Sequence, residues 1–333
     1  MPPHPPTRRT WLTGTLAAAT ALALPGCATP RQDAPLASAR PWAMPGTFYL
    51  DMPAAPLPGS TAARQHRLMV YRPEGEAPAG GFPVIYVLDG NLMFPLVTQL
   101  LHNRGARGLA LRGESAIVVG LGHTLPPGSG EVHDRTARTY DYTPPYSGIG
   151  PTSQGLAQGG ADAFLDFIAT RVQPLVAGQL PADMGRQTLV GHSFGGLCVL
   201  HALFTRPAMF QRYVAGSPSL WWEEGRILDT CAAFVARHTP PGQRLPGPLA
   251  LHLSQGSEEQ RRSANRPANP ERQATLRHTP QTGSAADLPA LLAPVPNLAC
   301  DYTVWPGADH GGAMPFVCIQ AVRVALGTWP KHY

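Results

Sequence analysis

The chain has 333 residues, 43% of them hydrophobic and only 14% charged, with 35 Gly and 38 Pro. That length fills one large core comfortably and two only marginally, and the Gly and Pro content forecasts turn-rich connections over a rigid framework. The formal net charge of +5 becomes +3 (24 − 21) when residues 1–26 are set aside, because Arg8 and Arg9 go with them and no acid does; so weak a balance argues against nucleic acid as a partner.

The first segment reads as an export signal. Thr7-Arg8-Arg9-Thr10-Trp11-Leu12 is a twin-arginine-like start, and the apolar run from Leu12 to Leu24 has the length of a signal h-region but is too short for a permanent membrane span. Leu24-Pro25-Gly26-Cys27 resembles a bacterial lipobox. Residues 1–26 are therefore expected to be an export signal, 27–45 a flexible tether rich in Ala, Pro and Arg, and 46–333 a catalytic domain. The expected location is periplasmic, with contact to the membrane only through a lipid on Cys27; plain signal cleavage would give a soluble periplasmic protein instead.

Further along, apolar, β-branched or aromatic runs predict strands at Arg67–Tyr71, Val84–Leu88, Ala116–Leu121, Thr188–Val190, Tyr213–Ala215, Leu249–Leu253 and Tyr302–Trp305. Amphipathic segments of helical length lie between many of them, notably Ala161–Ala177, Phe194–Thr205, Gly225–Arg237 and Ala313–Trp329. This alternation predicts an α/β protein with a mainly parallel central sheet and helices on both faces. The stretch Gly122–Gly160 interrupts the pattern after a predicted strand end, where open α/β sheets bind ligands, and is expected to wall the substrate cleft.

Chemistry concentrates at Gly191-His192-Ser193-Phe194-Gly195-Gly196, a G-x-S-x-G nucleophile elbow between a predicted buried strand and a predicted helix, which specifies the α/β-hydrolase fold. A serine hydroxyl is a weak nucleophile and needs a base. In this fold the base follows the nucleophile, and His310 lies in a glycine-flanked loop after the last predicted strand. His252 sits inside a strand pattern, while His238 and His278 fall in Pro-flanked loops. The acid is expected after Leu249–Leu253, where Glu259 is preferred and Glu258 is the alternative; its role is to orient His310 and stabilise the imidazolium. Oxyanion donors are expected from the backbone N–H of Phe194 and from Gly90 or Asn91, after the strand Val84–Leu88. Asp89, which precedes the nucleophile, is read as a structural turn residue. Cys198, Cys231, Cys300 and Cys318 could form disulfides in an oxidising compartment, although Cys198 reads as a buried thiol. No Cys or His pair has metal-ligand spacing, so neither metal nor cofactor is expected. Arg261, Arg262, Arg266, Arg272 and Arg277 read as a solvated loop, with an anionic substrate as a secondary possibility.

Several segments resemble the esterase-D-like esterases of the α/β-hydrolase superfamily: Tyr86-Val87-Leu88-Asp89-Gly90, Gly159-Gly160-Ala161-Asp162-Ala163-Phe164-Leu165, the elbow itself, and His310-Gly311. Arg138-Thr139-Tyr140-Asp141-Tyr142-Thr143-Pro144 and Ser217-Pro218-Ser219-Leu220-Trp221-Trp222 point to the siderophore esterases that hydrolyse enterobactin-type trilactones. The resemblance implies Ser193 as nucleophile, His310 as base, and Arg138 as a contact to an anionic or catecholate substrate; an ion pair bracing the long loop, with Asp141 as partner, is the competing role. Trp221 and Trp222 are expected as pocket walls or core. The implied function is hydrolysis of a small-molecule catecholate siderophore ester. A feruloyl or acetyl esterase and a catalytically silent ligand-binding lipoprotein are the alternatives.

Overall fold

Continuous apolar runs form the centre of the sheet because both faces of each strand are covered. Every residue of β3 (Phe82–Leu88) and of β4 (Ile117–His123) is buried. The protein is described from a computed structural model over residues 43–105, 115–126, 128–145, 155–259 and 284–329. Its eight strands have the order β1-β2-β4-β3-β5-β6-β7-β8. β1 (Thr47–Ala54), β2 (Arg64–Tyr71) and β4 are antiparallel neighbours. β3, β4, β5 (Ala182–His192), β6 (Arg212–Gly216), β7 (Leu249–Gly256) and β8 (Leu298–Trp305) pair in parallel.

The helices are α1 (Gly90–Gly105), α2 (Arg135–Tyr142), α3 (Ala161–Phe167), α4 (Gln173–Gln179), α5 (Phe194–Thr205), α6 (Arg226–His238), α7 (Leu288–Leu292) and α8 (His310–Ala325). A π-helical turn, Ile168–Val172, joins α3 to α4. Successive strand side chains point to opposite faces, so β3 feeds two cores. Val84, Tyr86 and Leu88 pack with Phe164 of α3, Leu197 of α5 and Phe234 of α6. Ile85 and Val87 pack with Met93 and Val97 of α1 and with Val317 and Ala321 of α8. The expected parallel sheet with helices on both faces is what forms.

Several elements depart from the expected ones. β1 and α1 were not foreseen, and α8 starts three residues earlier than predicted. Gly122–Gly160 holds a helix, α2, where only a loop was expected. The compact unit begins at Met44. The expected export signal, Cys27, most of the tether, the Arg261–Arg277 stretch and His278 lie outside the described residues. Among the described residues no helix is long and apolar enough to cross a membrane.

Candidate active site

Parallel strands bring their carboxyl ends to one edge of the sheet, and the chemically interesting residues follow those ends in sheet order. Asp89 follows β3, Ser193 follows β5, Ser217 follows β6, Glu259 lies three residues beyond β7, and His310 lies five beyond β8. Asp89, Ser193 and Ser217 all carry positive φ, at 52°, 61° and 42°. Non-glycine residues adopt that region at a cost, and such outliers gather at functional sites.

Local packing explains the elbow. A Cβ on Gly191 would collide with the backbone of Gly195, and one on Gly196 would sit 2.8 Å from the Gly216 carbonyl oxygen. The turn can therefore close only with glycine at both places. Ser193 N–H donates to Gly216 O at 3.0 Å, tying the elbow to β6. Phe194 is the first residue of α5, where backbone N–H groups lack intrahelical acceptors and the helix dipole is positive. An oxyanion beside Ser193 Oγ would meet those donors.

Glu259 Oε2 lies 3.1 Å from His310 Nδ1. A carboxylate only accepts, so Nδ1 carries the proton and Nε2 is left with a lone pair for a base. The other carboxylate oxygen, Oε1, accepts from Ser217 Oγ at 2.6 Å and from Gly256 N–H at 2.7 Å. Burial alone would raise the Glu259 pKa, but the hydrogen bonds from His310, Ser217 and Gly256 hold it below the usual carboxylate value. Glu258 does not share this contact; its Oε1 accepts from Ser257 Oγ at 3.4 Å, and its N–H donates to Ala308 O.

His310 opens a helix instead of lying in a loop. The Asp309 carboxylate accepts from Gly312 N–H at 2.8 Å, an N-cap strong enough to start α8 across two glycines. The imidazole packs against His192, with ring centroids 4.7 Å apart. Burial, and then the neighbouring His310, lower the His192 pKa to about 4, so His192 is neutral. Ser193 Oγ lies 3.4 Å from Ser219 Oγ and makes no hydrogen bond to His310 among the described residues. Catalytic hydrogen bonds commonly tighten only when substrate binds.

Arg138 reaches the site from α2. Its Nε and Nη2 donate to Asp89 at 2.6 and 2.8 Å, and Nη2 also donates to the His192 carbonyl at 3.3 Å. The guanidinium therefore bridges the turn after β3 and the nucleophile elbow, and it lies over the Phe194 ring at 5.6 Å. The expected alternative partner, Asp141, is bound elsewhere. Arg64 grips both its oxygens at 2.8 and 2.9 Å, and His123 Nε2 lies 2.8 Å from Oδ2. His66, His123 and Asp141 offer ligand atoms within 4.8 Å of one another. The Arg64 guanidinium already holds the carboxylate, so a second cation would meet its charge, and the cluster reads as a buried ion-pair network. Its members come from β2, β4 and α2, and no sequence spacing announced it.

The turn after β3, where oxyanion donors were expected, is tied to the elbow by the Arg138 bridge. Gly90 and Asn91 open α1, so their N–H groups also lack intrahelical acceptors. The Asn91 side chain is occupied: it exchanges hydrogen bonds of 3.0 and 2.9 Å with the His123 backbone. Trp222 requires a correction as a substrate residue. It is 1% exposed and donates its indole N–H to Gln158 Oε1 at 2.6 Å, which makes it core. Adjacent side chains on the turn diverge, and Trp221 is the exposed one, at 41%, with its ring 5.7 Å from that of Phe194. The four described cysteines are free thiols, and Cys198 is buried as expected.

With Ser193, Glu259 and His310 on one sheet edge, the chain matches the family model described as Putative esterase over residues 59–287. The chain belongs to this esterase family. It is an ester hydrolase, and the resemblance drawn from its motifs holds. The siderophore triacetylfusarinine C esterase of Aspergillus fumigatus is 36% identical over 259 residues, covering 76% of this chain and 84% of that protein. The ferri-bacillibactin esterase of Bacillus subtilis is 31% identical over 271 residues, covering 79% and 85%. Among solved structures, a siderophore hydrolase from Aspergillus nidulans aligns with a TM-score of 0.69 at 28% identity, covering 89% of this chain and all of that one.

Proposed function

We propose that this esterase is an exported serine hydrolase that opens the ester bonds of a catecholate, trilactone-type siderophore. The observation that carries the chemistry is the Glu259–His310 pair set beside a strained Ser193 on one sheet edge. Ser193 Oγ attacks the ester carbonyl while His310 Nε2 takes its proton, and the imidazolium then forms against Glu259. The Phe194 N–H, with an N–H of Gly90 or Asn91, receives the oxyanion. The alcohol leaves with the proton from His310, and water repeats the sequence on the acyl-enzyme to release the acid.

Siderophore esters as substrates rest on the relatives, whose names state that class. Catecholate rings suit the exposed Trp221 face beside Phe194, since aromatic pairs favour offset or edge contacts. The Arg138 guanidinium lies over the Phe194 ring at 5.6 Å, and its Nη1 makes no hydrogen bond among the described residues. The twin-arginine-like start and Cys27 support export to the periplasm with a lipid anchor. The test is a substrate panel: a ferric catecholate trilactone, methyl ferulate and a short-chain aryl ester. The trilactone should have the highest kcat/KM; brisk feruloyl turnover without trilactone hydrolysis would transfer the function to the feruloyl or acetyl esterases.

A further inference from the structure

The Ser217-Pro218-Ser219 turn after β6 touches both ends of the catalytic apparatus. Ser219 N–H donates to Ser193 O at 3.2 Å, and Ser219 Oγ lies 3.4 Å from the nucleophile's Oγ. Ser217 N–H donates to Ser254 O of β7 at 2.7 Å, while Ser217 Oγ donates to Glu259 Oε1 at 2.6 Å. Ser217 is 4% exposed and has φ 42°, a conformation in which glycine would relax. A serine there gains nothing from its backbone, so its value lies in the hydroxyl.

We infer that Ser217 is the positioning residue of the catalytic acid, its hydroxyl pinning Glu259 Oε1 so that Oε2 faces His310 Nδ1. This rests on the serine-hydrolase function above. The geometry requires such a device because Glu259 is the third residue past β7 and its side chain has three rotatable bonds. Gly256 N–H supplies one donor to Oε1 from β7 itself. A single donor leaves the carboxylate free to pivot about that contact. A second donor from the neighbouring strand end fixes its plane, and only Oε2 then remains for the imidazole. Charge-assisted hydrogen bonds of this length are both strong and directional. Ser217 is buried with its hydroxyl on Glu259, so it acts through the acid.

The test is a cycle of Ser217→Gly, Glu259→Gln and the double variant, read as kcat and KM on a neutral aryl ester alongside thermal melting. Ser217→Gly should hold or raise the melting temperature, because glycine relieves the positive φ. It should lower kcat by roughly 3- to 30-fold with little change in KM, less than the loss of a full charged contact because Gly256 still holds Oε1. In the Glu259→Gln background the same change should cost nothing further. Ser217→Ala, which keeps a Cβ and the backbone restriction, should show the same kcat loss and guards against a loosened turn in the glycine variant. Losses that multiply in the double variant would overturn the inference, as would unchanged kcat in both Ser217 variants while Glu259→Gln is damaged. If Glu259→Gln is harmless, the acid itself is misassigned, and the inference falls with it.

Discussion

Removing Arg138 separates its two expected roles. Its guanidinium makes two short hydrogen bonds to Asp89, and the two side chains are 14% and 5% exposed, so the pair is desolvated. Arg138→Ala leaves a buried carboxylate without its cation, a change that typically costs about 3–5 kcal/mol. At this domain size each kcal/mol moves the midpoint by roughly 2–3 °C, which predicts a fall of about 6–15 °C in Tm. Removing both charges restores much of the balance, so Asp89→Asn in the Arg138→Ala background should recover most of the lost stability. The pair also joins the turn bearing the proposed second oxyanion donor to the elbow through the His192 carbonyl. Turnover of a neutral aryl ester and of a trilactone should therefore drop by similar factors. Differential scanning fluorimetry and steady-state kinetics on both substrates measure this. Loss confined to the trilactone with an unchanged Tm would refute the bracing role and restore Arg138 as a ligand contact.

The remaining predictions concern other parts of the site. Glu259→Gln should lower kcat by roughly 10- to 10⁴-fold, a span that reflects how variable the acid's contribution is, whereas Glu258→Gln should change it little; the reverse order in a kinetic assay would contradict the His310 contact. Trp222→Ala should destabilise by about 3–5 kcal/mol in denaturant titration, while Trp221→Ala should leave stability near wild type and raise KM for aromatic esters. Burial holds both His66 and His192 at about 4, with His310 adding to the effect at His192 and Asp141 opposing it at His66. Both stay neutral when folded, whereas the unfolded chain takes up protons near pH 6.5. Their stabilisation is complete above pH 6.5 and declines as pH falls toward 4. Melting temperature against pH should show that decline, and His192→Gln should make it shallower.

The parallel sheet was legible because β3 and β4 are buried on both faces and read as unbroken apolar runs. β1 was hidden because it is a partly exposed edge strand with Pro53, and α1 because Pro95 interrupts a segment whose buried face, Met93, Val97 and Leu101, begins at a turn. The strand–turn–helix setting of Ser193 and the place of His310 after the last strand were legible through the elbow motif and the order of elements. The strand before them placed Glu258 and Glu259 alike after β7, and that Glu259 meets His310 is a matter of turn geometry, just as the start of α8 at His310 depends on an Asp309 cap that outweighs two glycines. Contacts over long sequence separations left no pattern: Arg138 and Asp89 are 49 residues apart, and Ser217 and Glu259 are 42 apart. The divergence of Trp221 and Trp222 is a matter of turn geometry, which adjacent identical residues cannot reveal.

The central claim is that Ser193 attacks a siderophore ester, and competitive labelling tests it most directly. The wild-type protein is treated with a fluorophosphonate, alone or with excess catecholate trilactone or methyl ferulate, and the modified peptide is located by mass spectrometry. The phosphonyl group should sit on Ser193, and the trilactone should slow its attachment far more than methyl ferulate does. Labelling at another residue, or protection by methyl ferulate alone, would contradict the account.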